Sequence, residues 1–340
     1  MSRIAIIGAG AWGTALSIIL GRKRTHEIRL WAHEKEVCES IAQRGVNERF
    51  LPGQKIPACV MPCHDFADAL ADAAVVISVM PSQHCRRLFE QMRSQLHRET
   101  LIVSATKGLE ENTLLRMTEV IGAVTHGDSA RAPRIGALSG PSFAVEAARG
   151  DPTAVTIASH DAELARSVQR EFSDANFRVY TNDDPIGVEL GGALKNTIAI
   201  AAGVSAGLGL GHNSVAALIT RGLAEMTRLA VACGGKAETL AGLAGLGDLV
   251  LTCTGGLSRN RTVGVELGRG RRLKEILDGM HGMVAEGIFT TTAAVGLAQA
   301  HGVEMPITEQ MHAILHQGKP PRDAIYELMT RRGKSEMLKI

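Results

Sequence analysis

Residues 3–8, RIAIIG, carry an uninterrupted apolar run rich in β-branched side chains. An uninterrupted run suits a strand covered on both faces, as in a parallel sheet, whereas a half-exposed strand alternates. A glycine-rich turn follows, and then TALSIILGRKR, which reads as a helix. Further strand-like runs occupy 27–32, 74–80, 100–106, 134–140, 153–159 and 176–181, and helical spacing separates many of them. Alternating strand and helix predicts an α/β fold built on a doubly wound, mostly parallel sheet. Past TNDDP (181–185) the strand signals fade. Apolar residues at helical spacing fill 186–234, 238–252, 284–301 and 306–317, so an all-helical second domain is expected. The reading is of two domains, 1–185 and 186–340, with a boundary good to several residues.

Length supports that division, because 340 residues exceed what one hydrophobic core usually organises. With 45% hydrophobic and 21% charged residues the chain has an ordinary globular composition. A net charge of +2 without a long basic run gives no reason to expect nucleic acid. The six cysteines do not form a disulfide framework in a chain this long. Cys59, Cys63 and His64 are loosely spaced and no second pair follows, so no metal is expected. The chain opens directly into a strand without a charged leader. No apolar run is long enough to span a membrane. A cytoplasmic enzyme fits these bounds.

Gly8, Gly10 and Gly13 form G-x-G-x-x-G between the first strand and the first helix. In that setting Gly8 permits the tight turn, Gly10 admits a pyrophosphate to the backbone, and Gly13 lets helix and strand pack closely. The helix start then offers unpaired N–H groups to the anion. The alternative is a plain tight turn; in this setting a nicotinamide dinucleotide, NADPH or NADH, is the expected cofactor. NADH sites place an acid near the tip of the second strand, but here the strand ends Leu30-Trp31-Ala32-His33-Glu34. His33 suits a 2′-phosphate, with Arg22, Lys23 and Arg24 as further cations, so NADPH is favoured. The plain alternative is that His33 is a loop residue.

Other motifs gather at the expected carboxyl ends of strands. Lys107 follows one strand in SATKG, Gly140, Pro141 and Ser142 follow another in LSGPSFAVE, and Met80 and Pro81 a third. A cation and a set of helix-start amides suit an anionic substrate, although Lys107 also reads as a solvated loop charge. In the helical half, Asp248 sits in the glycine-rich bend of LAGLGDLVLTC, where a helix cap is the default. GGLSRNRTVG puts Ser258, Arg259 and Asn260 before a helical run, either a cradle for phosphate or carboxylate or a solvated basic loop. Lys195 lies within GGALKNTIAIAAG, an apolar helical stretch. Its ammonium either snorkels to water or serves chemistry, since a buried charge is costly without a partner.

These motifs in this order resemble the bacterial NAD(P)-dependent sn-glycerol-3-phosphate dehydrogenases. IIGAGAWGTALS, SATKGLE, LSGPSFAVE, GVELGGALKNTIAIAAG, LAGLGDLVLTC, SRNRTVG and VAEGIFTT carry the resemblance almost end to end. It implies a Rossmann-like first domain, a helical second domain, a homodimer, and supply of glycerol 3-phosphate for phospholipid synthesis. It implies Lys195 as general acid/base on the substrate C2 oxygen, projecting from its helix into a cleft. Lys107, Gly140, Ser142, Asp248, Ser258, Arg259 and Asn260 are then substrate contacts. Gly8, Gly10, Ala11, Trp12, Gly13, His33, Lys107, Ala144, Arg259, Val284 and Glu286 line the cofactor site. Ala11 departs from the family, where a hydroxyl residue often follows the second glycine. Reducing dihydroxyacetone phosphate needs a hydride and a proton, and a lysine ammonium can supply the proton and stabilise the alkoxide. Asn196 is a candidate to orient that lysine. Two other readings remain, a β-hydroxyacid or 6-phosphogluconate-type dehydrogenase and a nucleotide sensor without turnover.

Overall fold

The structure, a computed structural model, describes residues 2–126, 133–280, 283–333 and 335–336. It divides into two compact units. The first comprises residues up to Thr106 together with Met117–Pro185; the second comprises Lys107–Arg116 and the chain from Ile186 onward.

Among the described residues the first unit contains ten strands: β1 (Ser2–Ile7), β2 (His26–Trp31), β3 (Val46–Asn47), β4 (Leu51–Lys55), β5 (Val60–Cys63), β6 (Val75–Ser78), β7 (Leu101–Ser104), β8 (Arg134–Ser139), β9 (Thr153–Ala158) and β10 (Phe177–Asn182). Its helices are α1 (Ala11–Arg22), α2 (Lys35–Arg44), α3 (Phe66–Leu70), α4 (Cys85–Met92), α5 (Met117–Thr125), α6 (Ala144–Arg149) and α7 (Ala162–Phe172). Eight strands form one sheet in the order β10-β9-β8-β7-β6-β1-β2-β5. Strands β5 through β8 in that order run parallel to β1, while β9 pairs antiparallel with β8 and parallel with β10. The mostly parallel, doubly wound sheet read from the sequence is the one observed. The register sets Ile4 beside Ile28 and Val75. On one face Ile4, Ile6, Ile28, Leu30 and Ile77 meet Leu16 and Ile19 of α1 in a closed core. Burial of such side chains contributes about 1.5–3 kcal/mol each.

Two sequence expectations were incomplete. β5 joins the sheet as its edge strand, where Pro62 is tolerated because its missing N–H faces no neighbour. The β3–β4 hairpin also escaped the pattern, since β3 spans only Val46–Asn47.

The second unit is helical: α8 (Pro185–Gly207), α9 (His212–Ala232), α10 (Ala237–Leu240), α11 (Asp248–Thr254), α12 (Arg259–Gly268), α13 (Leu273–Asp278), α14 (Glu286–His301), α15 (Pro306–His316) and α16 (Pro321–Thr330). Its core gathers Leu194, Ile198, Met226, Leu249, Val263 and Ala294, with α8 buried nearly all round. Leu109 belongs to this core too. The segment 107–116 closes on itself through a bridge between Leu109 and Arg116, and it is fastened to the unit by Leu109 in the core and by Arg116 pairing with Glu189 of α8 at 2.6 Å. The helices α8 and α12 meet backbone to backbone. A Cβ on Gly203 would lie 2.1 Å from the Arg261 carbonyl oxygen, and one on Gly264 would lie 2.0 Å from that of Ile200. Among the described residues no single helix is long and apolar enough to cross a membrane.

Candidate active site

In the first unit the glycine loop follows β1 at the carboxyl edge of the parallel strands. Gly8 has φ +122°, and a Cβ there would meet the Val79 carbonyl oxygen at 2.6 Å. A Cβ on Gly13 would fall 1.8 Å from the Gly8 carbonyl oxygen, so α1 can begin this close to β1 only without a side chain. Gly10 has open space where its Cβ would be. It caps α1 with extended backbone, no side-chain cap bond and no acid in the first turn. The uncapped amides and the open approach fit a pyrophosphate. Asn47, fully buried, pins the loop by donating to the Ala9 carbonyl and to Thr14 Oγ1, both at 2.8 Å. Trp12 packs on the core with its ring 6.5 Å from that of Phe177.

His33 is exposed beyond β2 at the same edge. Gly140 and Ser142 follow β8 there, and Ala144 opens α6. Gly140 has φ +145° and passes so near β9 that a Cβ would lie 2.9 Å from Val155 Cα. Ser142 Oγ donates to the Gly140 carbonyl at 2.9 Å.

In the second unit Lys195 is buried on α8, 6% exposed, and its ammonium has two polar partners. Nζ donates to Asp248 Oδ1 at 2.5 Å and to Thr252 Oγ1 at 2.9 Å. The second carboxylate oxygen of Asp248 accepts from Lys107 Nζ at 2.7 Å. Thr252, one turn after Asp248 on α11, donates to the Asp248 carbonyl at 2.6 Å. That leaves its lone pairs for Lys195. Glycine makes this meeting possible: a Cβ on Gly191, one turn before Lys195, would lie 2.6 Å from the Ala244 carbonyl oxygen. The π-type turn Leu243–Gly247 therefore lies against α8 and delivers Asp248 to the next turn. Burial lowers the Lys195 pKa to about 8, with Lys107 adding to the fall and Asp248 opposing it. The cluster of two ammoniums and one carboxylate carries a net positive charge. With two partners, Lys195 keeps one N–H for a further acceptor.

A chain of amides extends from this centre. Asn196 Nδ2 donates to the Lys107 carbonyl at 3.2 Å, and its Oδ1 accepts from Asn260 Nδ2 at 2.9 Å. Asn260 Oδ1 accepts in turn from the Gly287 N–H at 3.0 Å. The chain ties α8, the 107 segment, α12 and α14 together. Ser258 caps α12 by accepting from the Arg261 N–H at 3.2 Å. Arg259, the first residue of α12, is exposed, and the nearby charge it feels is Glu286 at the start of α14. Val284 is half-buried just before that helix.

The profile describing the N-terminus of NAD-dependent glycerol-3-phosphate dehydrogenase matches residues 3–165, and that describing its C-terminus matches 184–326. A glycerol-3-phosphate dehydrogenase [NAD(P)+] of Koribacter versatilis is 66% identical over 99% of both chains. That of Acidobacterium capsulatum is 58% identical over 99% of this chain and all of its own. The chain belongs to the NAD-dependent glycerol-3-phosphate dehydrogenase family. A crystal structure of glycerol-3-phosphate dehydrogenase from Coxiella burnetii superposes with a TM-score of 0.92 at 43% identity, over 97% of this chain and 99% of that one.

Within this family member, Lys107, Lys195, Asp248 and Asn260 join one hydrogen-bonded network, and Arg259 stands at the end of the helix that carries Asn260. The glycine loop, His33, Gly140, Ser142 and Ala144 share one edge of the first unit's sheet. One expectation is corrected. Arg22 and Lys23 do not approach His33: Arg22 donates to the Ala147 and Ala148 carbonyls, and Lys23 to those of Arg170, Glu171 and Ser173. These cations close α6 and α7 at their carboxyl ends, a favourable use of positive charge at a helix terminus. Arg24 belongs to the same connection, which enters β2 at the opposite edge from His33. Sequence reasoning also passed over Thr252, Asn47 and Gly287. Only Thr252 left a signal, its four-residue spacing from Asp248.

Proposed function

We propose that the chain is an NAD(P)-dependent sn-glycerol-3-phosphate dehydrogenase that interconverts dihydroxyacetone phosphate and sn-glycerol 3-phosphate, with Lys195 as general acid/base. The observation that carries this reading is the buried Lys195 held between Asp248 and Thr252 with one N–H to spare. The nicotinamide, when bound, supplies or accepts the hydride. Lys195 directs its remaining N–H at the C2 oxygen and passes a proton to the developing alkoxide, a contribution of roughly 10²–10⁴-fold. Asp248 holds the lysine in place and Lys107 adds positive charge beside the alkoxide. The 3-phosphate is received by Arg259, the remaining N–H of Asn260, and the α12 start capped by Ser258. Gly140 and Ser142 complete the substrate contacts.

The first domain, 1–185, holds the dinucleotide on Gly8, Gly10, Ala11, Trp12, Gly13, His33 and Ala144. The second, 186–340, together with Lys107, supplies Arg259, Val284 and Glu286 to it. NADPH is the favoured form, and the enzyme works as a cytoplasmic homodimer feeding glycerophospholipid synthesis. The test is oxidation of NADPH and NADH by dihydroxyacetone phosphate, with Lys195→Met beside the wild type. Turnover should fall at least about a hundredfold in the variant while dinucleotide binding persists. Near-normal turnover in Lys195→Met rejects the lysine; no turnover in the wild type rejects the substrate.

A further inference from the structure

Two imidazoles stand at the carboxyl edge of the first unit's sheet, on either side of the glycine loop. His33 follows β2, with its ring 6.1 Å from that of Trp31. His84 closes the single 3₁₀ turn Ser82–His84 after β6 and leads directly into α4. β2 and β6 are the two neighbours of β1, whose end carries the loop. Strands two places apart lie about 10 Å from each other, a gap that two imidazole side chains and a phosphate can fill. Both histidines are exposed.

We propose that His33 and His84 form a proton-linked imidazole pair that receives the adenosine 2′-phosphate of NADPH. Preference for NADPH over NADH then strengthens as the pair takes up protons. The proposal rests on the reading of this edge as the dinucleotide site. A phosphate monoester dianion accepts charge-assisted bonds from two imidazoliums, whereas the 2′-hydroxyl of NADH draws no charge toward it.

The surroundings favour that exchange. The packing of the His84 ring, the Arg87 guanidinium on α4 and the His33 imidazole all hold the His84 pKa below its ordinary value. His84 thus resists protonation in the free protein, and an arriving dianion relieves the repulsion. Arg87 adds a fixed positive charge. The flanking acid is Glu34, which faces Arg49 at 4.0 Å; Arg49 itself lies over the Phe50 ring. His64, beyond β5, sets Nδ1 against the Ala32 carbonyl at 2.9 Å. Lys35 opens α2 next to Glu34.

Dinucleotide binding is titrated on the full chain by nicotinamide fluorescence at pH 6.5, 7.5 and 8.5, using NADPH and NADH separately. Protonation in the bound state predicts that NADPH affinity weakens about tenfold from the lowest to the highest pH, while NADH affinity changes less than about twofold. His84→Gln should cut the NADPH dependence to about threefold, and His84→Lys, with a permanent charge, should leave a similar dependence while binding NADPH more tightly than His84→Gln at every pH. Parallel pH curves for NADPH and NADH in the wild type overturn the proposal, as does a full NADPH slope in His84→Gln. Failure of the wild type to bind either dinucleotide would instead overturn the reading of the edge itself.

Discussion

Asp248→Asn tests how Lys195, the proposed general acid/base, is tuned. The substitution keeps the shape of the side chain and removes the one negative charge touching both Lys195 and Lys107. With Asp248 present, burial and Lys107 lower the Lys195 pKa to about 8, and Asp248 limits that fall. Opposite charges about 4 Å apart in an effective dielectric of about 20 attract by roughly 4 kcal/mol. At 1.36 kcal/mol per pH unit this is a ceiling of about three units. Relaxation and the repositioning of Lys107 reduce it, so a drop of about one to two units is expected. In the proposed role the ammonium protonates the alkoxide, so the rate of ketone reduction in the wild type should hold at neutral pH and decline as pH rises through about 8. In Asp248→Asn the decline should begin between about pH 6 and 7, leaving roughly a tenth to a half of the lysine charged at pH 7. The assay is kcat for dihydroxyacetone phosphate from pH 5.5 to 9, with a deuterated reduced cofactor to establish that hydride transfer limits the rate. Alcohol oxidation should show the mirror profile, rising through the same pH. An unmoved break in the variant, with folding and dinucleotide binding intact, refutes Asp248 as the group that sets the lysine.

Thr252→Val removes the hydroxyl that accepts from Lys195, strands one buried N–H at a cost of about 1–3 kcal/mol, and should lower kcat about tenfold or more with dinucleotide affinity unchanged. Gly264→Ala drives a methyl into the Ile200 carbonyl of α8; overpacking of this kind costs about 1–3 kcal/mol. A lower melting temperature and a raised KM for the phosphorylated substrate should appear together, because α12 carries Arg259, the proposed phosphate contact. Glu225, buried on α9, accepts from the Ile307 N–H at 2.7 Å and from the Thr308 N–H and hydroxyl, and burial raises its pKa to about 7. Its protonated form is the one folding favours. The stability it contributes is full below about pH 4.5 and is lost as pH rises through about 7. Melting of the wild type against Glu225→Gln should show a differential pH dependence of at most about 3.4 kcal/mol, about 1.36 per unit; superimposable curves would remove Glu225 as its source.

What the sequence discloses is what is local. The apolar run 3–8, the three glycines and the helix behind them lie within one supersecondary unit, so spacing alone carried the dinucleotide edge. The character of α8 was equally plain, because few polar residues interrupt it and a lysine in such a helix demands a partner. The identity of that partner was not legible. Asp248 lies 53 residues away and looks like a helix cap. Only the tight passage at Gly191 turns it toward Lys195. The Asn196–Asn260–Gly287 chain is still less visible, since it joins three helices by single bonds between uncharged groups. Arg22 and Lys23 misled for a related reason. Sequence proximity to β2 says nothing about which end of that strand a side chain reaches, and these two sit at its beginning.

The decapeptide 107–116 has a consequence for how the protein can be divided. It is encoded within the first half of the chain yet supplies Lys107 to Asp248, Leu109 to the helical core and Arg116 to Glu189. A gene cut at residue 185 would therefore yield neither half intact. The helical fragment would carry a buried carboxylate at Glu189 with its guanidinium gone, and an Asp248 with one oxygen unclaimed. The two halves are thus not interchangeable modules. A chimera that exchanges the helical part between relatives must carry this decapeptide with it, and on the ribosome the second core cannot close around a segment synthesised some seventy residues before α8 begins until α8 itself has emerged.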